Sequence, residues 1–261
     1  HTAQGVHAMF HLAAFYSSLA QAAAYAQVNA VADGGLTRNA ANQYVMPRNM
    51  RVLAAHGQGV TTSRLQIQAP SLRNLAYPEI YPIQQAARTA IANLQNVQTY
   101  GDNGPRVLMN EAVGIYGSEN NTGASPTNAA LWLSDRFEPI PPGPIFTLVA
   151  TSTITLIDTA WTLGTLSFET QLAAGDYTVV GLEAITDNAN YARLVFPGQV
   201  NYRPGVPVND TYGRATHRDP FRIGRMGTFG TFSFNNPPQV EVFGAAAGST
   251  AGTYFMDVIK S

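Results

Sequence analysis

The sequence predicts a mainly β protein: an antiparallel β-sandwich with an N-terminal helical arm and one further amphipathic helix. Three observations lead there. From Phe146 to Ile259, short β-branched and aromatic runs recur between Gly, Pro, Asn and Asp breaks at intervals of about 8–12 residues, the pattern of a sandwich or barrel. Before them, Glu138–Pro144 reads EPIPPGP, through which no hydrogen-bonded ladder can run. And the opening stretch His1–Ala32 holds no Asp, Glu, Arg or Lys at all.

Within that opening stretch, Met9, Leu12, Tyr16, Leu19, Ala23, Ala26 and Ala30 follow alternating steps of three and four. Such spacing places them on one stripe of a helix. Asp33-Gly34-Gly35 is a natural stop, with Gly able to take the left-handed conformation after the last turn. An uncharged helix of this kind is expected to lie against something: its own domain, a sister subunit or a lipid surface. Residues 36–60 read as irregular. Thr61 to Ala69 alternates, with Leu65 and Ile67 on one side, and reads as a strand closed by Pro70. Tyr77-Pro78 and Tyr81-Pro82 make a stiff connector. Ile83, Ala87, Ile91, Leu94 and Val97 return to helical period, the second expected helix. Gly117 to Thr127 reads as a polar loop, while Arg106 to Tyr116 and Ala129 to Leu133 could be strands, leaving open a second β domain.

After the Pro-rich boundary the expected strands are Phe146–Val149, Ile154–Ile157, Trp161–Thr170, Tyr177–Ile185, Ala192–Phe196, Phe229–Phe234, Val240–Phe243 and Tyr254–Ile259, with a long loop from Pro197 to Phe221. A loop of that length usually carries function. The expected division is 1–60 (arm and connector), 61–138 (mixed region) and 139–261 (sandwich).

Composition narrows the class of function. The 261 residues are 45% apolar, enough for a full core, but only 12% are charged, against about 25% in typical globular chains. Too few charges remain to cover an ordinary monomer surface, so either Asn, Gln, Ser and Thr cover it or copies of the chain cover one another. Of 15 basic residues only Lys260 is Lys. Arg is favoured and Lys disfavoured at protein interfaces, because a planar guanidinium is easier to desolvate and binds carboxylates through two points. Codon bias is the competing explanation. With no Cys, disulfides, thiolate metal sites and cysteine nucleophiles are excluded. The first residues lack the basic and Leu-rich regions of a signal peptide, and no stretch is apolar enough to span a bilayer as a helix.

No catalytic signature stands out. There is no Gly-Lys-Ser/Thr phosphate loop, no Gly-x-Ser-x-Gly and no His-Glu-x-x-His. His7 and His11 have the spacing of half a zinc site but no carboxylate beside them in sequence. Glu169 and Glu183 could serve as the paired carboxylates of a glycosidase. Asp210, His217 and Asp219 lack a serine on a nucleophile turn. The densest basic group, Arg203, Arg214, Arg218, Arg222 and Arg225, is interleaved with Tyr202, Tyr212 and Phe221 and suits either Arg–carboxylate contacts between subunits or nucleic-acid backbone. Asp210 and Asp219 offset its charge, so direct nucleic-acid contact is not favoured. Neither cofactor nor metal is expected. The expected subunit interface comprises Met9, Leu12, Tyr16 and Leu19 from the arm and Arg203, Arg214, Arg218, Arg222 and Arg225 from the loop.

This layout resembles viral capsid (coat) proteins of the jelly-roll type. The resemblance rests on the uncharged segment His1–Ala32, the Pro hinge Glu138–Pro144, the run of short strands to Ile259, and a loop bearing Pro197-Gly198, Arg203-Pro204-Gly205-Val206-Pro207 and Gly213-Arg214. It covers the whole chain as architecture, with no motif transferable residue by residue. It implies a self-assembling structural subunit of a virion shell, without enzymatic activity, partnered by copies of itself and by a second shell protein or an enclosed membrane. Many small RNA-virus coats have a strongly basic arm; this chain departs from them, which argues against packaging of nucleic acid by the N-terminus. The alternatives are a non-viral fibre, sheath or surface-layer subunit in an extracellular assembly, and a β-sandwich module that binds or cleaves carbohydrate, suggested by Trp132, Trp161 and the Tyr content.

Overall fold

Two kinds of strand build the molecule, and burial separates them. In Ile145–Leu156 the exposed Thr151, Thr153 and Thr155 alternate with the buried Ser152, Ile154 and Leu156, as in a sheet with one wet face. In Phe10–Leu19 every residue from Phe10 to Phe15 is buried, so both faces of that strand are covered. The computed structural model describes residues 9–20, 22–59, 62–73, 76–81, 83–84, 97–119, 124–199, 202–209, 218–244 and 247–261. These are mainly β, in several antiparallel sheets consistent with a β-sandwich.

The principal strands of the first half are β1 (Phe10–Leu19), β2 (Ala22–Val28), β3 (Met50–Gly59), β4 (Thr62–Gln68), β5 (Glu79–Ile80), β6 (Gln98–Thr99), β7 (Ala112–Glu119) and β8 (Ser125–Ser134). Those of the second half are β9 (Ile145–Leu156), β10 (Ala160–Gly164), β11 (Asp176–Thr186), β12 (Tyr191–Val195), β13 (Gly205–Asn209), β14 (Gly230–Ser233), β15 (Gln239–Gly244) and β16 (Gly248–Lys260). Sheet I pairs β1-β8-β3-β6 and sheet II pairs β2-β7-β4-β5, all antiparallel. Sheet III pairs β9-β16-β11-β14 and sheet IV pairs β10-β15-β12-β13, again all antiparallel. Adding eight to each label of sheets I and II reproduces sheets III and IV, so the two halves share one connectivity. Short pairings such as Thr37–Arg38 with Tyr44–Val45, Arg106–Val107 with β3, and Ser167–Phe168 with β9 decorate the edges. A two-residue parallel contact, Ala184–Ile185 with Val208–Asn209, joins sheets III and IV.

Sheet I is the centre of the stack. One face carries Ala13, Phe15, Val52, Ala55, Ala129, Leu131 and Leu133 into a cluster with Tyr44, Leu65, Ile67, Val113 and Ile115 on the sheet II side. The other carries Phe10, Leu12, Ala14, Ala54, Ala130 and Trp132 into the cluster that fills the second half. Close packing on both sides explains the Ala content: on β8, Leu131 lies between Ala13 and Ala55, and Trp132 lies between Leu12 and Ala54. Sheet IV then faces sheet I with Tyr191, Arg193 and Glu241, while the alternate residues Ala192, Leu194, Val240 and Val242 extend the apolar cluster towards sheet III.

The N-terminal helical arm is thus corrected: Phe10–Leu19 and Ala22–Val28 are strands β1 and β2, not a helix, and residues 1–8 lie outside the described ones. A strand buried on both faces shows no period of two, and its many Ala residues imitate a helical stripe. Asp33-Gly34-Gly35 is a turn rather than a helix stop, with Asp33 Oδ1 accepting from the backbone N–H of Gly35 (2.7 Å) and Leu36 (3.1 Å). The further amphipathic helix is not found where its ends can be followed. Ile83–Gln84 is extended and pairs in parallel with β3, and Val97 is non-helical; residues 85–96 lie outside the described ones. Among the described residues the one α-helical turn is Arg218–Phe221. Phe146–Val149 and Ile154–Ile157 prove to be parts of one long strand, β9, and the expected loop Pro197–Phe221 contains β13.

Candidate functional site

Arg193 sits in the middle of β12, where flanking residues Tyr191, Ala192 and Leu194 are wholly buried. Its guanidinium is fully buried as well, which is tolerable only beside counter-charges. Nη1 donates to Asp33 Oδ2 at 2.5 Å and to the Leu12 carbonyl at 3.0 Å, and Nε donates to Glu241 Oε2 at 2.7 Å. The plane stacks over Trp161, its central carbon 3.9 Å from the ring centroid. Arg203 Nη1 donates to the other Glu241 oxygen. His11 Nε2 lies 3.0 Å from Asp33 Oδ2, and its Nδ1 has no partner among the described residues. Two carboxylates thus face two guanidiniums at a seam where β1 and the Asp33 turn of the first half meet sheet IV of the second.

Burial decides protonation here. It lowers the His11 pKa, because the charged ring would be desolvated with Arg193 and Arg203 nearby. The geometry therefore fits a neutral ring donating from Nε2 to Asp33. Burial alone would raise the Asp33 pKa, but the Arg193 guanidinium, with the hydrogen bonds from Arg193 and the neutral His11 ring, outweighs it and holds the carboxyl well below its usual range.

Other polar bonds extend the seam. Trp132 Nε1 donates to the Gly205 carbonyl at 2.7 Å, His56 Nδ1 lies 2.8 Å from the Tyr191 hydroxyl, and the Arg203 segment bonds to β1 on both sides (Leu12 N–H to Arg203 O, 2.9 Å; Arg203 N–H to Phe10 O, 3.1 Å). Gly205 is required there: an added Cβ would meet the Ala192 carbonyl and Leu12.

A second ionic group lies within the second half. Arg222 binds Asp257 through two points, Nε to Oδ2 at 2.5 Å and Nη2 to Oδ1 at 2.6 Å, and reaches Glu183 from Nη1 at 2.8 Å. Burial opposes ionisation of Asp257, but Arg222, the Ile223 N–H and the Thr147 hydroxyl keep its pKa below the ordinary value.

Among the residues expected at a subunit interface, Met9, Leu12 and Leu19 are buried inside the protomer and Tyr16 is partly buried. Arg203 and Arg222 belong to the two ionic groups, and Arg225 is exposed. Arg218 opens the helical turn, and Arg214 lies outside the described residues. So do Asp210, His217 and His7. Glu183 is held by Arg222, whereas Glu169 lies just beyond the Ser167–Phe168 pairing. Trp132 is wholly buried and Trp161 is covered by Arg193. Among the described residues no three His, Asp or Glu side chains converge as metal ligands, and no helix is long and apolar enough to cross a membrane.

Compared with known proteins, the chain matches no family model, and no curated protein aligns with it significantly. The functional reading therefore rests on the molecule itself.

Sequence reading missed Asp33, Arg193 and Glu241 as partners. A signal existed: Arg193 interrupts the apolar run Tyr191–Phe196, and Asp33 is the first acid after the long uncharged opening. A charge inside a buried strand needs a counter-charge, although sequence cannot say which. What the seam does chemically is to hold two β units in one orientation. The surface offers apolar side chains instead: Phe137, Ile140 and Ile223 gather about the Ile223–Gly227 loop, where Ile140 lies against Gly224 and Phe137 against Gly227. Ile157 and Leu163 are exposed near the β9–β10 turn, and Leu108 and Met109 at an end of the first half.

Proposed function

We propose that the chain is a structural subunit of a self-assembling shell, of the jelly-roll viral coat type, located in the virion. One observation carries this reading: the same eight-strand order occurs twice in tandem. Numbered within each half, strands 1-8-3-6 form one sheet and 2-7-4-5 the other, the double Greek-key order of a jelly roll. Two such units fixed rigidly to each other make a broad block suited to tiling. The low charge and the exposed Phe137, Ile140 and Ile223 support contacts between copies. The interior placement of Met9, Leu12, Leu19, Arg203 and Arg222 moves the proposed contacts from those residues to this apolar group. A second shell protein or an enclosed membrane remains a compatible partner. Nucleic-acid backbone gains little support, because Arg203 and Arg222 already face carboxylates.

A fibre or surface-layer subunit would use the same surfaces. The carbohydrate-module reading loses support, since Trp132 is wholly buried, Arg193 stacks on a face of the partly buried Trp161, and Glu183 as an acid is engaged by Arg222. Light scattering and negative-stain microscopy of the purified chain test the proposal. Closed or capsomer-sized particles are expected. Changing Phe137, Ile140 and Ile223 together to Ser should shift the mass towards the single chain with an unchanged β spectrum. A stable monomer at high concentration would overturn the reading.

A further inference from the structure

A cleft of about 500 Å³ opens on the outer side of sheet II, lined by Gln43, Gln68, Ala69, Pro70, Arg73, Tyr77 and Ala112. That volume falls within the roughly 300–1,000 Å³ of small-molecule sites. Its polar groups are fixed but not saturated. Gln68 Nε2 donates to Gln66 Oε1 at 2.6 Å, and Gln66 Nε2 donates to Glu79 Oε1 at 2.9 Å, which also accepts from the Tyr25 hydroxyl at 2.9 Å. This chain of bonds orients the Gln68 amide and leaves its carbonyl oxygen open. Gln43 is held in the same way, accepting from Asn39 Nδ2 and donating to the Tyr116 hydroxyl. The Tyr77 ring packs against the core between sheets I and II, which fixes its plane. Among the described residues, the Tyr77 hydroxyl has no hydrogen-bond partner and the exposed Arg73 guanidinium has neither an ion pair nor a hydrogen bond. None of the described lining residues carries a carboxylate.

We propose that this cleft binds a carboxylate-bearing pyranose, a uronic-type sugar, with Arg73 on the carboxylate and Gln43, Gln68 and Tyr77 on the ring hydroxyls. The chemistry follows from the lining. A single unneutralised guanidinium matches one carboxylate through two parallel bonds. Oriented amides that both donate and accept suit adjacent hydroxyls, which do the same. Ala69, Pro70 and Ala112 supply a low apolar wall for the C–H face of the ring. A phosphate would use the Arg but leave the amides unmatched. The inference is independent of shell assembly: a lone protomer would carry the same cleft.

Ligand-observed NMR on the full chain, with methyl β-D-glucuronide, methyl β-D-glucoside and inorganic phosphate as probes, tests it. The glucuronide should bind with a Kd on the order of 1 mM, as suits a ligand of this size. Arg73→Met should weaken it by about tenfold or more, and Tyr77→Phe by about threefold, both at unchanged thermal midpoint. Tyr77→Phe preserves the packed ring, so it reads the hydroxyl even if Arg73→Met disturbs the turn. The proposal is overturned if the glucuronide does not bind, if Arg73→Met binds it equally, or if the glucoside or phosphate binds as well as the glucuronide.

Discussion

The two halves share a strand order but are built from different side chains. Sheet I of the first half is thin and Ala-rich, covered on both faces; its counterpart, sheet III, turns a row of threonines to water along β9. The second half fills its interior with Tyr177, Phe196, Phe229, Phe232, Phe243 and Tyr254, whereas the Ala positions of sheet I leave space for the cores on either side. One connectivity thus tolerates two packing regimes, and position in the stack decides which is used. The seam shows the price of placing sheet IV inside: its Arg193 must be neutralised by residues from both halves.

That contrast can be broken most severely at Arg193. Arg193→Met should leave the buried Asp33 and the partly buried Glu241 without their shared partner and cost about 3–5 kcal/mol, read as a fall in the denaturant midpoint and as protease cleavage at Glu138–Pro144. A change under 1 kcal/mol would mean that water reaches the seam. Next, Ala130→Leu on doubly covered β8 should overpack and cost about 1–3 kcal/mol, whereas Thr153→Val on the wet face of β9 should stay within about 0.5 kcal/mol. Equal effects would refute the distinction between the sheets.

Acid should act on the seam more gently. His11 is neutral when buried but takes a proton in the unfolded chain below about pH 6.5, so the unfolded state binds more protons there. Stability is therefore expected to decline as pH falls from about 7 to 5, with Asp33, whose folded pKa is depressed, adding to the loss below about pH 4. Denaturant midpoints measured across this range should decline in the native chain and flatten between about pH 7 and 5 in His11→Gln. An unchanged slope in the variant would assign the decline to other groups.

Legibility followed the same division. Where one face meets water, as in β9 and much of β16, alternation and turn residues marked the strands in sequence, and the Pro-rich Glu138–Pro144 marked the irregular passage between the halves. Where both faces are covered, as from Phe10 to Phe15, the sequence loses its period and Ala favours the wrong element. The ionic seam was illegible for another reason. His11, Asp33, Arg193, Arg203 and Glu241 are scattered along the chain, and their meeting depends on how two sheets stack. The cleft beside Arg73 joins a turn, a strand and an amide from before β3, and no local pattern announces that conjunction.

The short bridge between His11 and Arg203 also bears on synthesis. The outer rim of β1 at Phe10–Leu12 is capped by a segment from the second half of the polypeptide. A nascent chain presents that rim long before its cap has left the ribosome. During that interval the start of β1 is an open edge able to recruit a neighbour, so emergence of the Arg203 segment, rather than folding of the leading half, closes the window for misassociation.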